Sequence, residues 1–473
     1  MKQHLKILFP FFLFFIALIF FVSNNFFFWD TIHLVSAPAH FFYENNFKTL
    51  ILPAEIDTGH IPTLGYYIAL VWKVFGKNLV VAHLAMLPFV LGIVFQVFLL
   101  VKHFVSSPNF VVWAMMLILS DATLLSQMIL ISPDIVLLFF FLLGLNAIIS
   151  QKRNFLLLAL FGLFLISMRG IVVVFSILLI DIILSIRKEG FNDFLSQFFK
   201  KKYIAYIAPF LLFLTYHYFH YIETGWVWTH PDSAWKPGRE TNSFGGLFYN
   251  LGIFSWRILD FGRVFIVIGL SLLLFLNKKS LFQHKKTIPL LIIVGIVCCI
   301  FIIPFLYYKT LTQHRYLLPL YFLIALLASY CIHHAFFSNR VKTSIFSILI
   351  LGVLTGNFLV YPDKIAQGWD ASLAHIPFYS LQQKMNTYLD KNQITFSEVG
   401  TAFPMLGEHS VIFVNNDIRS FKPKEVGKDT YILYSNVNND FSDSELNRLS
   451  NQYIIEKKIT SPTIYLCLFK LKK

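Results

Sequence analysis

Disulfide chemistry is the first thing missing from this 473-residue chain. Of its 4 cysteines, Cys298 and Cys299 are adjacent in one apolar run, Cys331 ends another, and Cys467 lies in a terminal apolar strand pattern. Neither a disulfide framework nor a metal-binding spacing results. Charge is also scarce, at 14% of residues. No period-2 alternation of barrel-strand length appears, which excludes a transmembrane β-barrel. Internal repeats are absent and few charges fall in the middle of apolar runs, which argues against a transporter built from repeated halves. The first apolar run, Ile7 to Val22, passes through Asn24 and Asn25 into Phe26 to Trp29 without a small-residue cleavage site. It therefore reads as a retained anchor rather than a signal peptide.

What the chain has in excess is apolar length. Hydrophobic residues make up 57% of it, 54 of them phenylalanine, with a mean hydropathy of +0.66. That is more than a soluble core of this size can hide. Runs near 5–23, 79–101, 108–125, 133–150, 154–168, 171–186, 203–222, 260–276, 287–306, 316–332 and 343–360 approach the roughly 17–25 residues of a bilayer crossing. Backbone in lipid must satisfy itself within its own segment, so these runs predict about eleven transmembrane helices.

Basic residues set the orientation, because short loops rich in them stay cytoplasmic. Lys2 and Lys6, Lys152 and Arg153, Arg187 and Lys188 with Lys200 to Lys202, Lys278, Lys279, Lys285 and Lys286, and Arg340 with Lys342 fall at every second turn. This predicts a cytoplasmic N-terminus. The net charge of +14 is then a topology signal rather than a footprint for nucleic acid, which is not an expected partner.

Unusual residues gather on the opposite, outer side. There lie a first loop (24–78), a short break near 126–132, a tight break at Arg169 and Gly170, a loop from 223 to about 259, a short loop from Tyr307 to Arg315, and everything after Tyr361. Residues 1–360 form a membrane domain. The tail, 361–473, mixes charged and polar residues without a bilayer-length run and predicts a small extracytoplasmic α/β domain. Within it, 377–392 and 442–453 have helical spacing, the latter capped by Ser442, and 410–415, 430–434 and 463–470 read as strands. Gly368-Trp369-Asp370, just after the last run, is the one stretch of the tail placed to reach an active site.

The first outer loop opens on Trp29-Asp30-Thr31-Ile32-His33. Read as an interfacial helix, it puts Asp30, His33, His40 and Glu44 near one stripe and Leu34, Val35, Phe41 and Phe42 on another. An acid directly at the end of an apolar span is expensive unless it has a function. Asp30 and His33, with His60 or Glu44, are also weak candidates for a divalent metal site, a cofactor this pattern leaves open. Between Glu223 and Asn250, Trp226, Trp228, His230, Asp232, Trp235, Lys236, Arg239 and Glu240 mix aromatics with charges. A carbohydrate-binding surface has that composition, and so does an interfacial aromatic belt.

The stretch His60-Ile61-Pro62-Thr63-Leu64-Gly65-Tyr66-Tyr67, continuing to Phe75-Gly76, resembles the first outer loop of the GT-C superfamily. These glycosyltransferases use lipid-linked sugars and include the protein O-mannosyltransferases and aminoarabinose transferases. Asp30, His60, Pro62 and Leu64 occupy matching positions, while Thr31 stands where the family usually has glutamate and Ile61 where it has a proline. Ser132-Pro133-Asp134, Met168-Arg169-Gly170 and Arg315-Tyr316-Leu317-Leu318-Pro319 follow in the expected order, over most of 1–332.

The resemblance implies a multi-pass inner-membrane glycosyltransferase acting on the extracytoplasmic side. Its donor is a polyprenyl-phosphate sugar lodged among membrane lipid, and its acceptor a glycan, lipid or protein. An acceptor hydroxyl needs a general base, for which Asp30 is the candidate, and direct attack inverts the anomeric centre. The anionic leaving group needs cations: Arg169 and Arg315, whose forked guanidiniums suit phosphate oxygens, with Lys309 and His314 assisting. Asp134 orients the acceptor or pairs with an outer arginine, and His33, His60 and Glu44 support. Trp228, His230 and Arg239 line a substrate loop. The rival classes are a flippase for lipid-linked sugars and a non-catalytic membrane scaffold.

Overall fold

The apolar runs coil into helices because lipid offers their backbone no partner outside the helix. A computed structural model describes residues 2–191, 204–228, 230, 233, 236–362 and 365–472. Lys200 to Lys202, Asp232 and Trp235, named above, lie outside the described residues. All eleven runs fall on helix. Among the described residues, eight helices are long and apolar enough to cross a bilayer: His4–Val22, Leu79–Phe104, Pro133–Ser150, Arg169–Glu189, Arg263–Gln283, Thr287–Tyr307, His314–His334 and Asn339–Phe358. The protein is a multi-pass α-helical membrane protein.

The other three runs depart from a straight span, each for a local reason. The run at 108–125 is two helices, Pro108–Leu119 and Ala122–Ile129, bent by 71°. Asp121 makes the break: its side chain accepts from the Leu124 amide at 3.0 Å and is ion-paired to buried Arg263 at 2.7 Å. Ser126, expected in an outer break, therefore sits on the second helix. Arg153–Ile166 stops after 14 residues at Ser167, whose backbone is extended. Ile204–Thr224 has the length of a crossing but carries Tyr216, His217 and His220 in its C-terminal half.

Enclosure differs sharply among the spans. His314–His334 is 83% buried and Pro133–Ser150 72%, whereas His4–Val22 is 22% buried and exposes Phe9, Phe14, Phe20 and Phe21. The two most enclosed spans form the centre, and the phenylalanine-rich periphery is left for lipid.

The first outer loop does not form one continuous amphipathic helix. A single π turn, Ile32–Ser36, precedes a short α-helix, Ala37–Glu44, with a proline in its first turn. The wider π turn rotates everything after it, so the acid and histidine positions do not share a stripe. The helix Thr63–Phe75 packs on this pair, with Gly65 so close that a Cβ there would sit 2.6 Å from Pro38.

The tail builds one six-stranded sheet in the order β2-β3-β1-β4-β6-β5. Its strands are β1 (Val399–Thr401), β2 (Gly407–Glu408), β3 (Ser420–Pro423), β4 (Tyr431–Ser435), β5 (Tyr453–Thr460) and β6 (Tyr465–Leu471). β3, β1 and β4 run parallel, with Gly400 opposite Lys422 and Val399 opposite Tyr431, and the remaining pairs are antiparallel. Helices Pro377–Lys391 and Asp443–Gln452 appear where expected, the second with a full capping box from Ser442 and Glu445. The expected strand at 410–415 is instead a helical turn, His409–Phe413. Its carbonyls serve the first loop rather than a sheet: Ile412 accepts from the Phe27 amide at 3.0 Å and Val411 from the Ser36 hydroxyl at 2.6 Å. So short an apolar run carries no period that separates strand from helix. One apolar cluster runs from the membrane helices into the tail, where Phe26 packs against Tyr379 at 4.8 Å and Phe28 stacks on His375 at 4.9 Å.

Candidate functional site

Two central helices and two loops deliver ionised groups to one place, at the end of the bundle that carries the tail. Asp134 occupies the first turn of Pro133–Ser150, behind Ser132 as N-cap and Pro133 as first residue. Carboxylates are favoured there by the helix dipole. Arg315 sits in the single turn His314–Leu317 that leads into the most enclosed span. Asp30 follows the first span, and Asp370 lies in the short turn Trp369–Ala371 at the start of the tail.

Arg315 joins these acids. Its Nη2 donates to Asp30, its Nη1 to Asp370, and its Nε is ion-paired with Asp134 Oδ2 at 3.3 Å. Asp134 in turn accepts from Arg169. The Tyr316 ring lies 4.2 Å from the Arg169 guanidinium and 5.2 Å from that of Arg315, sandwiching charge against its face. Arg315, Asp134 and Asp370 keep 3–4% of their side-chain surface, whereas Asp30 keeps 14% and Arg169 22%. The cluster is thus open only along its Asp30 and Arg169 edges.

Arg169 is positioned by its neighbour. A Cβ on Gly170 would fall 1.7 Å from the Leu163 carbonyl oxygen, so only glycine lets Arg169–Glu189 start this close to the preceding helix. His60 accepts from the Met168 amide at 3.3 Å and lines a narrow fissure with Leu64, Pro133 and Arg169. Burial, then Arg239, Arg169 and Arg315, hold its pKa well below the ordinary value, so it is a neutral acceptor. Arg239 reaches the same loop by donating to the Thr58 carbonyl at 2.7 Å and to the Trp228 carbonyl.

Asp30, Asp134, Arg169 and Arg315 therefore converge, with His60 and Arg239 beside them, and Asp370 joins from the tail stretch singled out by its position. Other expected members point elsewhere. His33 stacks on Phe403 at 6.0 Å, and burial lowers its pKa against the opposing pull of Asp30. Glu44 pairs with Lys77 at 2.9 Å on the surface. Lys309 pairs with Glu240 at 3.3 Å and is 60% exposed. His314, one residue from Arg315, turns away to Asp260 at 2.8 Å and is fully buried, because consecutive residues of a turn face different sides. Trp228 is half exposed, and His230 lies edge-on to Trp226 at 5.8 Å. Both belong to the outer loop beside a cleft of about 590 Å³ that His230, Trp226 and Glu223 line against Thr49 and Pro53.

A metal fits this arrangement poorly. Among the described residues no three of His, Cys, Asp or Glu are grouped to hold one, and the Asp30 carboxylate is taken by Arg315.

Several polar partners escaped the sequence pattern. Asp260 is buried, which works to raise its pKa. Hydrogen bonds with His314, Tyr361 and the Phe261 amide outweigh that and hold it at about 2. Asp57 pairs with His220 at 2.9 Å, and Gln127 donates to Asp370 Oδ2 at 3.1 Å. The signal available for Asp260 is an acid at the start of an apolar run, and for Asp121 an acid inside one. Gln127 offers none, being a neutral amide in the short break between two runs.

No protein-family model and no curated protein matches this sequence. Among solved structures, the chain is similar to the crystal structure of ArnT from Cupriavidus metallidurans in the apo state. The TM-score is 0.52 at 10% identity, over 96% of this chain and 97% of that one. A likeness at this identity, extending over nearly the whole length of both, is one of architecture: this chain shares the overall fold of that structure.

Proposed function

We propose that this protein is a membrane glycosyltransferase that moves a sugar from a polyprenyl-phosphate donor to an acceptor at the extracytoplasmic surface. The observation that carries the reading is the constellation of Asp30, Arg315, Asp134 and Arg169 where the two most enclosed spans begin, at the end of the bundle next to the tail. ArnT, an aminoarabinose transferase, supports it as a fold-level neighbour.

Arg169 and Arg315 bind the phosphate of the donor and stabilise the negative charge that grows on it as the glycosidic bond breaks. Asp30, the most exposed of the three aspartates, takes the proton of the acceptor hydroxyl as its oxygen attacks the anomeric carbon. One group couples the two events. While Arg315 holds Asp30, a carboxylate oxygen is engaged by the guanidinium; when phosphate oxygens draw the guanidinium toward themselves, Asp30 is released to act. Asp134 keeps both arginines aimed. The polyprenyl chain lies along the spans, and the direct attack inverts the sugar.

Purified protein reconstituted with radiolabelled polyprenyl-phosphate sugars and envelope extracts tests this. Label should pass to an acceptor, and Asp30→Asn should reduce transfer by about 100- to 10,000-fold while leaving the melting temperature in place. Undiminished transfer by that variant sinks the role of Asp30. Label that crosses the bilayer still attached to its lipid would instead mark a flippase.

A further inference from the structure

The charges around Arg315 do not balance. Two guanidiniums, Arg169 and Arg315, face three carboxylates, Asp30, Asp134 and Asp370. With all five ionised the cluster carries one surplus negative charge, and a phosphodiester headgroup adds another. Buried charge without a partner tends to neutralise by exchanging a proton rather than remain ionised. We infer that the anionic headgroup competes with Asp370 for Arg315, and that Asp370 takes up one proton from water as the headgroup binds. This rests on the reading of Arg169 and Arg315 as phosphate ligands.

The choice among the three acids follows from their surroundings. Asp30 must stay ionised to serve as base and has the widest access to water. Asp134 lies against both guanidiniums and in the first turn of a long helix, where the dipole favours the anion. Asp370 has neither support. Among the described residues its Oδ2 meets Arg315 and the neutral amide of Gln127, and its backbone carbonyl is fixed by Ser126 at 2.7 Å and Gln127 at 2.9 Å. Among the described residues, Arg315 is the cation that acts on it. Asp30 and Asp134 are acids, His314 is taken by Asp260, and burial keeps His375 neutral at about 4. Burial raises the Asp370 pKa, Arg315 opposes, and Asp30 pushes it further up. Protonated Asp370 becomes a hydrogen-bond donor instead of a competitor, and the proton returns to water when the lipid phosphate leaves. A carboxylate from the tail thereby lets one arginine serve an acid in the empty site and a phosphate in the filled one.

Calorimetry on the full chain in nanodiscs tests this with farnesyl methyl phosphate, a phosphodiester whose own charge does not titrate near neutrality. Titrations in two buffers of different ionisation enthalpy give the proton count directly. We expect about one proton taken up per molecule bound, and affinity that falls about tenfold per pH unit on the alkaline side. Asp370→Asn should bind the probe with no proton uptake and no such pH slope, a readout that a purely structural role would not move. Wild-type binding without proton uptake overturns the inference and leaves the phosphate-binding reading standing. Failure of the wild type to bind overturns both. Should the variant not fold, the proton count of the unaltered chain still decides.

Discussion

Arg315 meets three aspartates with three nitrogens of one planar guanidinium, hydrogen bonds from Nη1 and Nη2 and an ion pair from Nε, a spread that the single nitrogen of an ammonium does not reproduce. Arg315→Lys is therefore expected to lose at least one charge-assisted contact, worth about 1.5–3 kcal/mol, and to lower kcat/KM for sugar transfer about tenfold or more. Steady-state kinetics against the wild type checks this. A variant within a factor of two would show that the fork is not used. Four of the converging residues, Asp30, Asp134, Arg169 and Arg315, were legible in the sequence for one physical reason. An ionisable group at the end of an apolar run is costly and persists only with a partner or a task. His33, Glu44, Lys309 and His314 carry the same chemistry nearby, yet the direction of a side chain within a turn is not written in its spacing.

The helices supply that direction. One π turn at Ile32–Ser36 scatters the acid and histidine stripe, and the cap at Asp121 bends a run that otherwise reads as one span. Gly170 is an element-scale requirement of the same kind, because it sets how closely Arg169–Glu189 approaches the Leu163 carbonyl. Gly170→Ala should push the two helices apart at a cost of about 1–3 kcal/mol and carry Arg169 away from Asp134. The expected outcome is a lower melting temperature together with weaker donor binding, seen as a raised KM for the lipid-linked sugar. A variant with wild-type KM would separate helix spacing from phosphate binding. The motif Met168-Arg169-Gly170 is thus one device, a cation and the glycine that lets it reach its site. By contrast the run at 410–415 reads as a strand and folds as a helical turn, since its six residues are too few for a period and its partners lie in the first loop.

Over the whole molecule, the basic residues predict a cytoplasmic N-terminus and a tail outside, and labelling can check this. In a background with Cys298, Cys299, Cys331 and Cys467 replaced by alanine, Lys428→Cys should react with a membrane-impermeant maleimide in intact cells, the native lysine being 81% exposed. Lys188→Cys should react only after permeabilisation. The reverse pattern would place the site on the wrong face for a lipid-linked donor flipped outward. The tail is more than an appendage: it packs Phe378, Tyr379 and His375 onto the first loop and contributes Asp370 to the arginine cluster. Reading along the chain was enough to find the solvent, the places of the apolar runs and the strongest charged residues at their ends, because hydropathy and charge are local properties set residue by residue, though not which runs make straight bilayer-length helices. That Arg315 would gather acids from the first loop, a central helix and the tail was settled by packing, because residues 30, 134, 315 and 370 meet only when the helices have closed around them.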